Sequence, residues 1–207
     1  MCPMQKAQLI LASASPRREE LLFLAGIPFQ VIPGEVDEGM VGDESPEEHV
    51  LRLSEEKAAS VAGLYPDAWV LGADTVVIID GEVLGKPARR EEARVMMHKL
   101  SGRTHRVITG FTILKATANT RVRKAVTSTV TFREMTAEEM EWYIKTEEPY
   151  DKAGGYAVQG RAALFIRKIS GSHTNVIGLP ICEVVEALLE LGAIDFGAED
   201  SHVGRSG

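Results

Sequence analysis

The sequence predicts an alpha/beta fold, and three observations carry that expectation. Leu9-Ile10-Leu11-Ala12 and Ala68-Trp69-Val70-Leu71-Gly72-Ala73 are apolar runs short enough to be buried strands. Ser45-Pro46-Glu47-Glu48 and Thr136-Ala137-Glu138-Glu139 are helix starts with complete capping boxes. The segments 106–114 and 122–132 are rich in Val, Ile, Thr and Phe, as strands are.

Taken in order, the first strand runs into Ser13-Ala14-Ser15-Pro16-Arg17-Arg18. Ser15 suits an N-cap, Pro16 the first helical position and Gly26 the position just past the helix end. Arg17 and Arg18 then fall in the first turn, where the free N–H groups already carry partial positive charge. Either both side chains are simply solvated or an anion satisfies the helix end and the guanidiniums together, with the Ser13 hydroxyl beside them. Residues 29–32 read as a strand leading into an acidic, Gly-containing loop with Glu35, Asp37 and Glu38. Such a loop is solvated or holds a hard divalent cation through oxygen.

The helix opening at Ser45 should run to about Gly63, with Val50, Leu53, Val61 and Leu64 on one apolar stripe. Lys57 falls within that stripe, so it either snorkels outward or meets a buried anionic partner. The strand from Ala68 ends at Asp74-Thr75, and Val76–Ile79 then meets Glu82–Leu84 across Asp80-Gly81, a hairpin dipeptide. A carboxylate at 74 among apolar segments must be paired, metal-bound or protonated, unless it caps a turn. Gly85-Lys86-Pro87 offers close backbone approach and a point charge, but lacks the spacing of a P-loop.

Glu91–Leu100 is an amphipathic helix with Ala93, Met96, Met97 and Leu100 inward. His98 and His105 have no partner at metal-ligand spacing and read as surface or core histidines. The turn between the two long strands falls at 116–119. The Gly-rich stretch 149–160 is either a flexible surface loop or a binding loop, where Gln159 offers a donor–acceptor pair to a base edge. A strand over 163–169, a polar loop over 171–178 and a helix from Pro180 follow, with Val184, Val185, Leu188, Leu189 and Leu191 inward.

At 207 residues the chain suits one domain, read as two lobes over 1–197 with an unstructured tail over 198–207. Its net charge of −7 argues against a nucleic-acid partner, which needs a basic face. Cys2 and Cys182 are far apart, as free thiols of a reducing compartment would be. No signal-peptide core or membrane-length run is present, so a cytoplasmic protein without membrane contact is expected.

Ser13, Arg17, Arg18, Lys57, Lys86, Asp74, Glu38 and Gln159 stand mostly at strand ends or in Gly-containing loops. Such a set suits a hydrolase of phosphate esters or nucleotides, its cations offsetting phosphate charge and its carboxylates activating water. The chain also resembles the Maf family of nucleoside triphosphate pyrophosphatases over Leu9–Leu191. The resemblance rests on Leu11–Arg18, Glu35–Glu38, Glu56–Ala58, Gly72–Thr75, Gly85–Pro87, Asp151–Tyr156 with Gln159-Gly160, and Gly178–Pro180. It implies hydrolysis of a nucleoside triphosphate between its alpha and beta phosphates, aided by a divalent cation, Mg2+ or Mn2+. It implies Asp74 as the base that activates water and as a metal contact with Glu38, Lys57 and Lys86 as catalytic cations, and Ser13 and Arg17 on phosphate. Arg18, Thr75 and Gln159 match the branch acting on dTTP and UTP. The resemblance further implies an elongated mixed twisted sheet flanked by helices, a cleft between two lobes, and a homodimer. The family is also associated with arrest of septum formation, so a non-enzymatic partner-binding role is the rival expectation.

Overall fold

Apolar residues that come in runs rather than in alternation belong to strands covered on both faces, and the centre of this sheet is built from them. The computed structural model describes residues 4–5 and 8–195. Cys2 and the tail expected over 198–207 lie outside them. The elements are β1 (Met4–Gln5), β2 (Leu9–Leu11), α1 (Pro16–Leu24), β3 (Gln30–Val31), α2 (Pro46–Ala62), β4 (Trp69–Ile79), β5 (Glu82–Leu84), α3 (Arg90–Leu100), β6 (Thr104–Lys115), β7 (Thr120–Phe132), α4 (Ala137–Ile144), β8 (Ile166–Ser170), α5 (His173–Ile177), α6 (Ile181–Glu190) and β9 (Ile194–Asp195).

One mixed sheet runs β3-β2-β4-β6-β7-β8, with β5 on the second half of β4. β2 is parallel to β3 and β4, and the other pairs are antiparallel. β2 leaves β4 at Leu71, and β5 joins the same edge only at Val77. Residues 72–76 are therefore an open stretch of strand edge, held on the other side by β6. Two apolar cores flank this gap. One joins Leu9, Leu11, Trp69 and Leu71 to α1 and α6; the other joins Val77, Ile79 and Val107 to α3, α4 and Tyr156.

Helix α2 covers the opposite face, over Ile10, Val70, Val76 and Ile108. It approaches closely because the sheet is notched beneath it. A Cβ at Gly72 would overlap the Ser54 carbonyl oxygen, one at Gly110 the Val50 carbonyl, and one at Gly34 the Lys57 carbonyl. The capping boxes at Ser45 and Thr136 form as the sequence predicts. Asp80 and Gly81 have φ of 53° and 80°, the two left-handed positions of a tight hairpin.

Five expectations need correction. β4 does not end at Asp74-Thr75 but runs through them, because both polar side chains find partners across the fold. Leu64 is 74 % exposed: the helix stops at Ala62, so the stripe does not extend past Gly63. Leu189 is not buried either, at 38 % exposure. The strand expected from Ala163 begins at Ile166, since 161–164 form a 3-10 turn whose N–H groups at Arg161 and Ala162 donate to the Glu148 carboxylate at 2.7 and 3.1 Å. Within 171–178 stands α5, capped by the Ser172 hydroxyl. The β1–β9 pair carried no sequence signal, being two residues on each side.

Candidate active site

Alternation along β4 puts Asp74 on the face that α2 covers and Thr75 on the opposite face, beside α1. In an interior strand these two would be sealed from each other. Here they sit in the edge gap, and both line one cavity of about 700 Å3. Every residue expected at the site borders it: Ser13, Arg17, Arg18, Glu38, Lys57, Asp74, Thr75, Lys86 and Gln159.

On the α2 side, Lys57 does not snorkel. It is 6 % exposed, and its Nζ donates to Asp74 Oδ1 at 2.8 Å and to Glu38 Oε1 at 2.6 Å. The inward lysine of the apolar stripe thus has the anionic partners that burial demands. The hydrogen bond from Lys57 holds the Glu38 carboxyl below its ordinary range, against the opposing effect of burial. The loop bearing Glu38 is fixed from behind by Arg52, which donates to the Gly39 carbonyl at 2.8 Å and forks onto Glu44.

On the α1 side, Arg18 is buried at 8 % exposure. Its Nε donates to the Gly178 carbonyl at 2.8 Å, Nη1 to Ser13 Oγ at 3.1 Å and Nη2 to Thr75 Oγ1 at 3.1 Å. Burial lowers the guanidinium from its usual value, and the Asp74 charge opposes that. The solvated arginine pair is therefore excluded for Arg18, whose role in the wall is to order hydroxyls. Arg17 is half-buried and donates to Asp151 Oδ2 at 3.3 Å. Ser15 stands at the N-cap but makes no capping bond; the turn hydroxyl that takes a backbone N–H is Ser13, from Ser15 N at 3.2 Å.

Lys86 is exposed at the cavity rim and makes no ion pair among the described residues. Gln159 is exposed on the Gly-rich stretch, which is not a free loop. Gly154, Gly155 and Tyr156 are buried, Tyr156 Oη meets His105 Nε2 at 2.7 Å, and Glu148 holds the chain just beyond Gln159. His105 is thereby a core histidine, whose burial depresses its pKa to about 4.

Asp151 and Gly178, which line the cavity, fall in stretches that carry the family resemblance but had no site role assigned from sequence, and Thr109, behind Thr75, was not singled out at all. Thr109 had a readable signal: it is the hydroxyl in the row Val107, Phe111, Ile113 on one face of β6. The Gly178 contribution is a main-chain atom, so the residue type gave no sign of that role.

The fit of a cation can be tested on these donors. No group of three His, Cys, Asp or Glu gathers among the described residues. Two carboxylates, Glu38 and Asp74, do converge, through Lys57. A hard divalent ion held by one or two carboxylates, with phosphate oxygens and water completing its shell, suits that set.

A sequence model of the family described as Maf-like protein matches residues 8–191. A relative from Syntrophus aciditrophicus (strain SB), described as dTTP/UTP pyrophosphatase, is 55% identical over 96% of this chain and 97% of its own. Another of the same description, from Geotalea uraniireducens (strain Rf4), is 49% identical over 92% of this chain and 98% of its own. Among solved structures, the Staphylococcus aureus Ham1 protein aligns with 89% of this chain at 14% identity and a TM-score of 0.46.

Proposed function

The chain belongs to the Maf family, and we propose that it is a dTTP/UTP pyrophosphatase, releasing the nucleoside monophosphate and pyrophosphate. The description shared by relatives 49–55% identical over nearly the whole chain supports this reading. The observation that carries it in the structure is Lys57 bound between Asp74 and Glu38, on the wall of a cavity that Ser13, Arg17 and Lys86 also line. A carboxylate beside cations supports this reading, since it can act as base while they take over phosphate charge.

In the reaction, phosphate oxygens contact Lys57, Lys86, Arg17 and the Ser13 hydroxyl. Asp74 accepts a proton from the water that attacks the alpha phosphorus. The bond from that phosphorus to the bridging oxygen breaks, and pyrophosphate leaves with the electron pair. Glu38 and Asp74 would hold a divalent cation, Mg2+ or Mn2+, which when bound neutralises part of the triphosphate charge. Gln159, exposed on the cavity lining, reads the base. We place the enzyme in the cytoplasm as a homodimer, the latter measurable by light scattering; no helix among the described residues is long and apolar enough to cross a membrane.

A triphosphate panel with Mg2+ or Mn2+, scored for pyrophosphate against orthophosphate, tests the reading. Pyrophosphate chiefly from dTTP and UTP is expected. Orthophosphate as product, or no turnover by folded protein, overturns it.

A further inference from the structure

Two hydroxyls line the cavity next to Arg18, and the hydrogen bonds around them leave each with a single thing to offer. Ser13 Oγ accepts from Ser15 N at 3.2 Å and from Arg18 Nη1 at 3.1 Å, so both its lone pairs are engaged. What remains is its proton.

Thr75 is the reverse case. Its Oγ1 accepts from Arg18 Nη2 and lies 2.9 Å from Thr109 Oγ1, which lies 3.0 Å from the Asn175 carbonyl oxygen. A carbonyl only accepts, so the Thr109 proton goes to Asn175. The 2.9 Å contact then has one proton left to fill it, that of Thr75. Among the described residues, the only other acceptor bonded to that hydroxyl is the Gly178 carbonyl at 3.4 Å, which also belongs to the wall. Thr75 therefore has no proton for the cavity, and its free capacity is one lone pair. A phosphate oxygen, which only accepts, gains nothing from such a hydroxyl; a ring N–H does.

We infer that Thr109, through the relay Thr75→Thr109→Asn175, is a positioning residue for base choice: it holds the Thr75 hydroxyl as a fixed acceptor for the N3–H of a uracil or thymine ring. Cytosine presents a lone pair at that ring position and is opposed. Ser13, locked as a donor by the same arginine, faces phosphate. Arg18 thus sorts the two ends of the substrate. The inference rests on the pyrophosphatase reading above and adds the device that separates uracil and thymine from cytosine.

Thr109→Val keeps the shape and deletes the relay, which leaves the Thr75 proton only the long 3.4 Å contact to the Gly178 carbonyl, weak enough for a ligand acceptor to compete for it. The ratio of kcat/KM for UTP over CTP should fall about three- to tenfold, the worth of one hydrogen bond. Thr109→Ser should keep the wild-type ratio. Thermal unfolding checks each variant, and Thr109→Ala serves if the valine does not fold. An unchanged ratio in a folded hydroxyl-free variant overturns the inference, as does an equal loss in Thr109→Ser, which would trace the effect to the methyl group. Calorimetric binding of UMP and CMP reads the same preference without turnover. If the wild type releases no pyrophosphate, the function fails. The relay is then judged separately: a lower UMP:CMP affinity ratio in the variant supports it, and an equal one refutes it.

Discussion

Removing the Lys57 ammonium, as Lys57→Met, isolates the interaction at the centre of the site. Opposite charges 2.8 Å apart, as Lys57 and Asp74 are, attract by about 6 kcal/mol at an effective dielectric of about 20. Desolvation of both groups offsets much of this. Loss of one partner from a buried pair nonetheless costs about 3 kcal/mol or more, because the other charge is left unpaired. The Asp74 side chain is 12 % exposed, so that figure applies to it. Glu38 is 55 % exposed, so its contact with Lys57 adds ~0–1 kcal/mol. The expected destabilisation is about 3 kcal/mol, or a fall in Tm of about 6–12 °C for a chain of this length. Urea unfolding of Lys57→Met, Asp74→Asn and the double variant, with chelator present, measures the coupling. The double variant should be about 2 kcal/mol more stable than the sum of the single losses predicts. Additivity within about 0.5 kcal/mol would refute the account of a mutually dependent buried pair.

Three further outcomes are expected. Asp74→Asn should abolish pyrophosphate release while nucleotide binding persists, since the phosphate-facing cations remain; turnover comparable to wild type would remove Asp74 as the base. Gln159→Ala should relax base choice more than it slows hydrolysis, read as kcat/KM across the triphosphate panel; a uniform loss on all bases would count against it. His105 has a folded pKa depressed from 6.5 to about 4 by burial. Its contribution to stability is therefore complete above about pH 6.5 and is lost as pH falls toward 4, by up to about 3 kcal/mol. His105→Gln should flatten urea midpoints across that window, and an unchanged slope would reject the assignment.

The legibility of this chain follows the range of the interactions involved. Capping boxes at Ser45 and Thr136 and the Asp80-Gly81 turn are closed within four residues, so the sequence displays them whole. Lys57 and Asp74 each advertised an unmet need, a charge among apolar neighbours, but not which partner met it, because 17 positions separate them. The continuity of β4 was hidden for the same reason. Asp74 and Thr75 look like a strand end until Lys57, Arg18 and Thr109 arrive from other elements. Helix α5 lacked any periodic apolar face; Asn175 holds it in place by donating to the Val107 carbonyl and Ser128 Oγ at 3.1 and 2.9 Å. Resemblance to the family supplied the site roles that spacing alone left open.

The glycines beneath α2 bear on how freely this protein can vary. Main chain rests on main chain at Gly72, Gly110 and Gly34, so the height of the helix above the sheet does not depend on the size of any interposed side chain. Drift among the apolar residues around it can alter packing without altering the reach of Lys57. The site is in that sense mutationally robust, with its fragility concentrated at three positions. At each of them the smallest possible addition, a single methyl group, must move the helix backbone or the main chain that lies against it.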